Sequence, residues 1–227
     1  QVVGRDRYIE YISWLANVAA SCEKILQEVR NLQRSELREA GEGFDIKKQV
    51  GSSTMAHKKN PIKSENACGL ARIVRAMIIP TYENALLWHE RDLANSSSER
   101  FTLSHASALC EDVLAKTRDV LTNMWVDAER CLQNIKSQKG LVMAEKVMID
   151  LVDHGIPRDE AHEILRAASF EAVDKNIELI DVCSRTPEIV AAFSAEELEA
   201  MFEPANHIGV AGEIVDECVA LARQAIA

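Results

Sequence analysis

Along residues 5–39 apolar side chains return at alternating steps of four and three: Tyr8, Ile12, Leu15, Ala19, Cys22, Leu26 and Val29. That spacing keeps them on one seam of an α-helix, the pattern of a helix packed in a bundle. A second row, Tyr11, Trp14, Val18, Ile25 and Leu32, occupies an adjoining face. A helix with two apolar faces needs neighbours on both sides. At 1.5 Å per residue it would span about 50 Å, a rod suited to elongated bundles and oligomers.

Residues 40–60 break the periodicity with Gly41, Gly43 and Gly51, several lysines, and Ser52, Ser53 and Thr54, and read as a long loop. Asn60-Pro61 predicts a helix start, with Asn60 as the cap and proline at the first helical position. The periodicity then runs over residues 61–90, with a kink expected at Pro80. Residues 91–98 read as irregular, and 99–124 and 128–137 as helices. Shorter helices follow over 141–153, 157–174, 187–193, 195–202 and 210–225, with a turn at Gly155-Ile156-Pro157. The fold class expected is all-α: residues 1–138 as part of a long central helical bundle, and 139–227 as a small helical C-terminal domain.

Composition agrees with long elements. There are nine glycines and five prolines in 227 residues, against roughly 7% and 5% in an average protein. An apolar fraction of 47% supplies a core and excludes disorder as the main state. No apolar run reaches the about 18 residues of a bilayer span, so no membrane is expected. The chain starts with Gln1 rather than Met, and residues 1–6 lack the apolar core of a secretory signal, so it is expected to begin mid-protein or after processing. Six cysteines without CxxC spacing read as reduced core thiols of a cytoplasmic protein. His105, His154, His162 and His207 lack metal-ligand spacing, and no metal site is expected.

The net charge of −10 is unevenly distributed. Residues 139–227 carry 7 basic and 18 acidic side chains, whereas residues 46–75 carry Lys47, Lys48, Lys58, Lys59, Lys63, Arg72 and Arg75 against Glu65 alone. These lysines flank a Gly-Ser-Ser loop leading into a helix N-terminus, where unpaired backbone N–H groups and the positive dipole favour an anion. A small polyanion is therefore expected. Nucleic acid is not, because aromatic residues do not interleave the basic ones and the whole chain is acidic.

The loop Gly51-Ser52-Ser53-Thr54-Met55-Ala56-His57-Lys58-Lys59-Asn60-Pro61 resembles the GSSxMPxKxNP loop of the aspartase/fumarase superfamily, with Ala56 in place of the usual proline. Trp88-His89-Glu90-Arg91-Asp92-Leu93-Ala94-Asn95-Ser96-Ser97-Ser98-Glu99-Arg100 resembles the ERDxxxSSxER segment of the adenylosuccinate lyase family. Residues 1–39 and 140–172 are similar to the same family, so the resemblance covers nearly all of this chain but only about the last half of a family chain.

The resemblance implies a cofactor-free β-elimination that releases fumarate from adenylosuccinate, giving AMP, and from the succinylated aminoimidazole carboxamide ribotide of purine synthesis. Ser52 takes the place of the general base, with Ser53 the alternative and otherwise a substrate contact. Lys58 and Asn60 take the place of the groups that stabilise the carbanion's doubly negative carboxylate. Glu65 matches a glutamate paired with a catalytic histidine, Arg91 a carboxylate-binding arginine, Ser96 and Arg100 a phosphate-binding pair, and Gln1 a substrate contact. A serine alkoxide at neutral pH requires Lys58, backbone N–H groups and the helix dipole around it. In the family four chains form a homotetramer, and each active site draws on three of them. The acid-side histidine lies before the residue corresponding to Gln1, so this fragment alone is expected to be inactive. Two other readings remain open on the residues: a different fumarate-releasing lyase (argininosuccinate lyase or carboxymuconate cycloisomerase type), and a noncatalytic helical assembly module.

Overall fold

The computed structural model describes residues 3–44, 55 and 58–226. The protein divides into two compact units, Gln1–Arg130 and Cys131–Ala227. The sequence-expected boundary near residue 138 lies further along the chain than this division.

In the first unit α1 spans Asp6–Leu32, α2 Ile62–Ala76, α3 Ile78–Glu83 and α4 Ala94–Asn123. The seam on α1 packs as its periodicity requires: Ile12, Leu15, Ala19, Cys22, Leu26 and Val29 are buried against Ala67, Cys68, Ala71 and Val74 of α2 and Ala106, Cys110, Val113 and Val120 of α4. Each large aliphatic side chain taken fully out of water there contributes about 1.5–3 kcal/mol. Cross-links fix the directions. Arg5 pairs with Glu99 and the Cys110 thiol faces the Leu15 carbonyl, so α4 runs parallel to α1. Glu23 pairs with Arg72 and Arg75, while Gln33, ten residues later, reaches the Lys59 carbonyl before α2, so α2 runs antiparallel to α1. The second row divides: Trp14 is 60% exposed and Tyr11 and Ile25 about two-fifths exposed, whereas Val18 packs against the core.

Three expectations shift. Helix α1 ends at Leu32 rather than near residue 39, because the chain turns there and Arg38 adopts φ 56°. The expected long helix over 61–90 stops at Ala76 and resumes as α3. Pro80 has no N–H for the Ala76 carbonyl and its ring crowds that group, so the break falls one turn before the proline. Helix α4 starts at Ala94, earlier than expected for a Ser-rich stretch. Asp92 supports that start: its carboxylate accepts the Ala94 N–H at 2.8 Å and the Trp88 N–H at 3.0 Å. Those two bonds hold Asp92 below the usual carboxylate range.

Two short strands were not foreseen. β1 (Ala40–Gly41) pairs antiparallel with β2 (Trp125–Val126), which ties the chain leaving α1 to the chain leaving α4. Gly41 has no room for a side chain, since a Cβ would meet Trp125 Cζ2 at 2.6 Å and Gln33 Cγ at 2.8 Å.

Helix α5 (Ala128–Ser137) precedes the second unit's short helices: α6 (Ala144–Asp153), α7 (Arg158–Lys175), α8 (Leu179–Cys183), α9 (Pro187–Ala192), α10 (Ala195–Met201) and α11 (Ala211–Ile226). Val147, Leu151, Ala161, Leu165, Ala168, Leu179, Ile189 and Leu198 form the core of α6 to α10, to which α11 adds no buried residue. The Gly155 turn closes as expected, with the Ile156 N–H on the Leu151 carbonyl and the Gly155 N–H on the Val152 carbonyl.

Candidate active site

The candidate residues fall into three sets. Gln1, Ser52 and Ser53 lie outside the described residues, as do Ala56 and His57. Lys58, Asn60 and Glu65 form the second set and Arg91, Ser96 and Arg100 the third.

The second set shares one cleft. Lys58, Lys59, Asn60, Pro61 and Glu65 line a cavity of about 730 Å³ whose opposite wall is the last turn of α1 and the turn after it, with Arg30, Gln33 and Arg34. The cleft wall thus carries four cationic side chains and one carboxylate, an arrangement suited to a polyanion. Lys58 and Glu65 are exposed to it. Arg30 and Arg34 were absent from the sequence reading. Arg30 is on the last turn of α1 and Arg34 in the turn after it, and nothing in their spacing said which loop they face.

The basic run itself is not one face. Lys63 pairs with Asp119 on α4, while Arg72 and Arg75 both reach Glu23 on α1. These three charges answer acids inside the bundle, which leaves Lys58 and Lys59, among the described lysines of the run, directed at the cleft.

The helix start also differs from expectation. Asn60 does not cap α2; Pro61 occupies the cap position and makes no side-chain cap bond. The cap is Glu42, far back in sequence. Its Oε1 accepts the Lys63 N–H at 3.0 Å, and its Oε2 accepts the Ser64 N–H at 2.9 Å and the Ser64 hydroxyl at 2.8 Å. The Ile62 N–H goes to the Asn60 carbonyl and the Glu65 N–H to the Pro61 carbonyl. Every N–H of the first turn is therefore taken, and the positive end of the dipole already faces a carboxylate. The expected anion site on free helix N–H groups is not there; charge in the cleft comes from side chains.

The third set lies at the other end of the bundle. Ser96 and Arg100 sit on the first two turns of α4, with Arg91 just before it. Among the described residues no hydrogen bond or ion pair engages the Arg91 or Arg100 guanidinium groups, and both are exposed. The acid beside them is occupied: Glu99 accepts Arg5 Nε at 2.6 Å and Asn95 Nδ2 at 2.7 Å. Burial opposes the Glu99 charge, but the Arg5 and Asn95 bonds, with the charges of Arg5 and Arg91, outweigh it and hold the carboxyl below its ordinary value. A cavity of about 440 Å³ lies alongside, lined in part by Pro80, Asn84, Asn95 and Ser98. Asn84 Nδ2 and Asn95 Oδ1 are buried there with no hydrogen-bond partner among the described residues.

The two described sets do not meet within one chain. Lys63, near Lys58 and Asn60, pairs with Asp119, and roughly 30 Å of α4 separates Asp119 from Arg100 at 1.5 Å per residue. Among the described residues no group of His, Cys, Asp and Glu could hold a metal ion, and no helix is long and apolar enough to cross a membrane.

Comparison with known proteins follows the same division. Residues 1–76 match the family model described as Lyase, and residues 140–218 the one described as Adenylosuccinate lyase C-terminus. An adenylosuccinate lyase of Archaeoglobus fulgidus is 44% identical over 96% of this chain and 49% of its own length. One of Streptococcus mutans is 37% identical over 95% of this chain and 50% of its own. Among solved structures, the 3-carboxy-cis,cis-muconate lactonizing enzyme of Pseudomonas putida superposes with a TM-score of 0.87 at 29% identity, covering 100% of this chain and 49% of that one. A fumarate lyase of Mesorhizobium sp. BNC1 gives 0.83 at 27%, covering 94% of this chain and 47% of its own. The chain spans about half the length of the curated relatives it matches.

Proposed function

We propose that this chain belongs to the adenylosuccinate lyase family and supplies the second half of a cytoplasmic lyase that eliminates fumarate from adenylosuccinate and from the succinylated aminoimidazole carboxamide ribotide. The observation that carries the reading is the 37–44% identity to adenylosuccinate lyases across nearly the whole chain, which exceeds the identity to the muconate and fumarate lyase structures.

In this proposal Ser52 removes the proton from the carbon beside a succinyl carboxylate, and Ser53 contacts substrate. The electron pair moves onto that carboxylate as the intermediate forms, where Lys58 and Asn60 stabilise the added charge. Collapse breaks the C–N bond, the pair passes to the nitrogen, and an acid outside this chain protonates it. Glu65 orients the family's histidine. With the α2 dipole occupied by Glu42, stabilisation of the serine alkoxide falls chiefly on Lys58. Arg91 holds a substrate carboxylate, and Ser96 and Arg100 hold the phosphate, roles that suit the planar two-pronged guanidinium. Gln1 contacts substrate. No cofactor or metal takes part.

The same reading takes the assembly to be a homotetramer, and the separation of the two described sets supports more than one copy per site. One chain holds Lys58 and Arg100 too far apart for a single nucleotide, so a complete site takes them from different copies. The open Tyr11–Trp14–Ile25 row supports the same assembly, because such a stripe on a long helix is ordinarily covered.

The test joins this chain to the N-terminal half of the Archaeoglobus fulgidus relative and measures fumarate release. Adenylosuccinate turnover by the joined protein, with none from residues 1–227 alone, is the expected result. Turnover of argininosuccinate or carboxymuconate in its place would overturn the substrate assignment, and full activity of the isolated chain would overturn the division of labour.

A further inference from the structure

We infer that Gln33 and Glu42 are positioning residues for this chemistry: together they set where Lys58, Asn60 and Glu65 stand against α1. The inference rests on the lyase reading above. The segment that carries Lys58 and Asn60 has no cap of its own at the start of α2. It is held instead by a relay of side chains. Gln33, at the end of α1, donates Nε2–H to the Lys59 carbonyl at 3.0 Å and accepts the Glu42 N–H on Oε1 at 2.8 Å. Glu42 then accepts the Lys63 and Ser64 N–H groups and the Ser64 hydroxyl. One amide and one carboxylate thus join the end of α1, the end of β1 and the first turn of α2.

Two features separate this relay from an ordinary helix cap. A cap needs only a Ser, Thr, Asp or Asn next to the helix, mostly in water. Glu42 is 4% exposed. A carboxylate that dry is costly unless several donors hold it, and here three do. The second feature is crowding around Gln33. The Gln33 stem lies close against Gly41, where a Cβ would come within 2.8 Å of Gln33 Cγ, so the absence of a side chain at Gly41 is what lets Gln33 sit there. Gln33 also stands on the wall of the cleft, opposite Lys58 and Asn60. A displacement of about 1 Å at groups that stabilise a transition state costs on the order of 100-fold in rate. This relay fixes the backbone on both sides of Asn60, where such a displacement would originate.

The experiment uses the joined protein described above, with Gln33→Ala and Glu42→Gln made separately. Gln33→Ala removes both amide bonds at the end of α1 and leaves the packed seam intact. Glu42→Gln keeps the size but replaces one acceptor with a donor facing a donor. The expected result is a fall in kcat on the order of 100-fold for Gln33→Ala, with KM within about twofold and the circular dichroism melting curve nearly unmoved. A side chain that served stability alone would move the melting curve and leave kcat per folded molecule unchanged. Activity of both variants within twofold of the parent, or a loss confined to KM, overturns the inference. Silence of the unvaried joined protein instead condemns the lyase reading, so the two failures are told apart.

Discussion

Arg5 Nε donates to Glu99 Oε1 at 2.6 Å, fastening the first residue before α1 to the second turn of α4. Both side chains are largely withdrawn from water, at 11% and 16% exposure. The Glu99 carboxyl is held below its ordinary 4.5. A carboxyl depressed in the folded state contributes stability that is fully present above its unfolded pKa and lost as pH falls through the folded one. Stability against denaturant should therefore fall from about pH 5 downward. Glu99→Gln should flatten that acid limb and cost about 2 kcal/mol at neutral pH, through the lost charge-assisted bond. An acid limb equally steep in the variant would refute the assignment.

The separation of Lys58 from Arg100 makes a prediction about mixtures. Lys58→Ala should lower kcat by roughly 100-fold or more, as removal of one oxyanion donor does. Arg100→Ala should act mainly on KM. If sites are shared between copies, refolding the two impaired variants together creates sites in which both residues are intact. Fumarate release from the mixture should rise well above that of either variant alone. A mixture no more active than the average of its parts would mean that each chain carries its own site.

Gly140 sits at φ 76°, and a Cβ there would meet the Phe202 ring at 2.8 Å. Gly140→Ala combines left-handed strain with a steric clash. It should destabilise the second unit by about 2 kcal/mol, read as a lower melting temperature, while fumarate release by the joined protein per folded molecule stays unchanged.

Burial pushes the Cys183 thiol up to about 11, and it also raises Cys110. Cys218 is exposed and Cys131 half-buried. At pH 8 a thiol reagent should modify Cys218 first, then Cys131, and leave the buried four until denaturant is added, because the thiolate is the reacting species. Fast labelling of Cys183 in the native protein would contradict the packing of α8.

Much of the helical architecture was legible in the residues. The α1 seam reads directly onto the buried face, because a 3.6-residue period and an apolar stripe admit one solution. The glycine and proline signals marked the Gly155 turn and the break before Pro80. The short elements α8, β1 and β2 escaped notice, since segments that brief exist through tertiary contacts and not through local preference. At the site, Lys58, Asn60, Glu65, Arg91, Ser96 and Arg100 were named from their motifs. Glu42, Gln33, Arg30 and Arg34 were not, because their importance depends on what lies across the cleft.

By itself the sequence determined the class of fold, the burial face of the first helix and the family that the loop and arginine segments resemble. These follow from local periodicity and contiguous motifs. Only the tertiary structure decided which of the clustered positive charges reach the cleft and which are spent on Asp119 and Glu23. It alone showed that the α2 dipole is already answered by Glu42, and that Lys58 and Arg100 stand at opposite ends of the bundle. Charge count and motif spacing are properties of the chain. Partnership and distance depend on how antiparallel and parallel helices bring remote residues together.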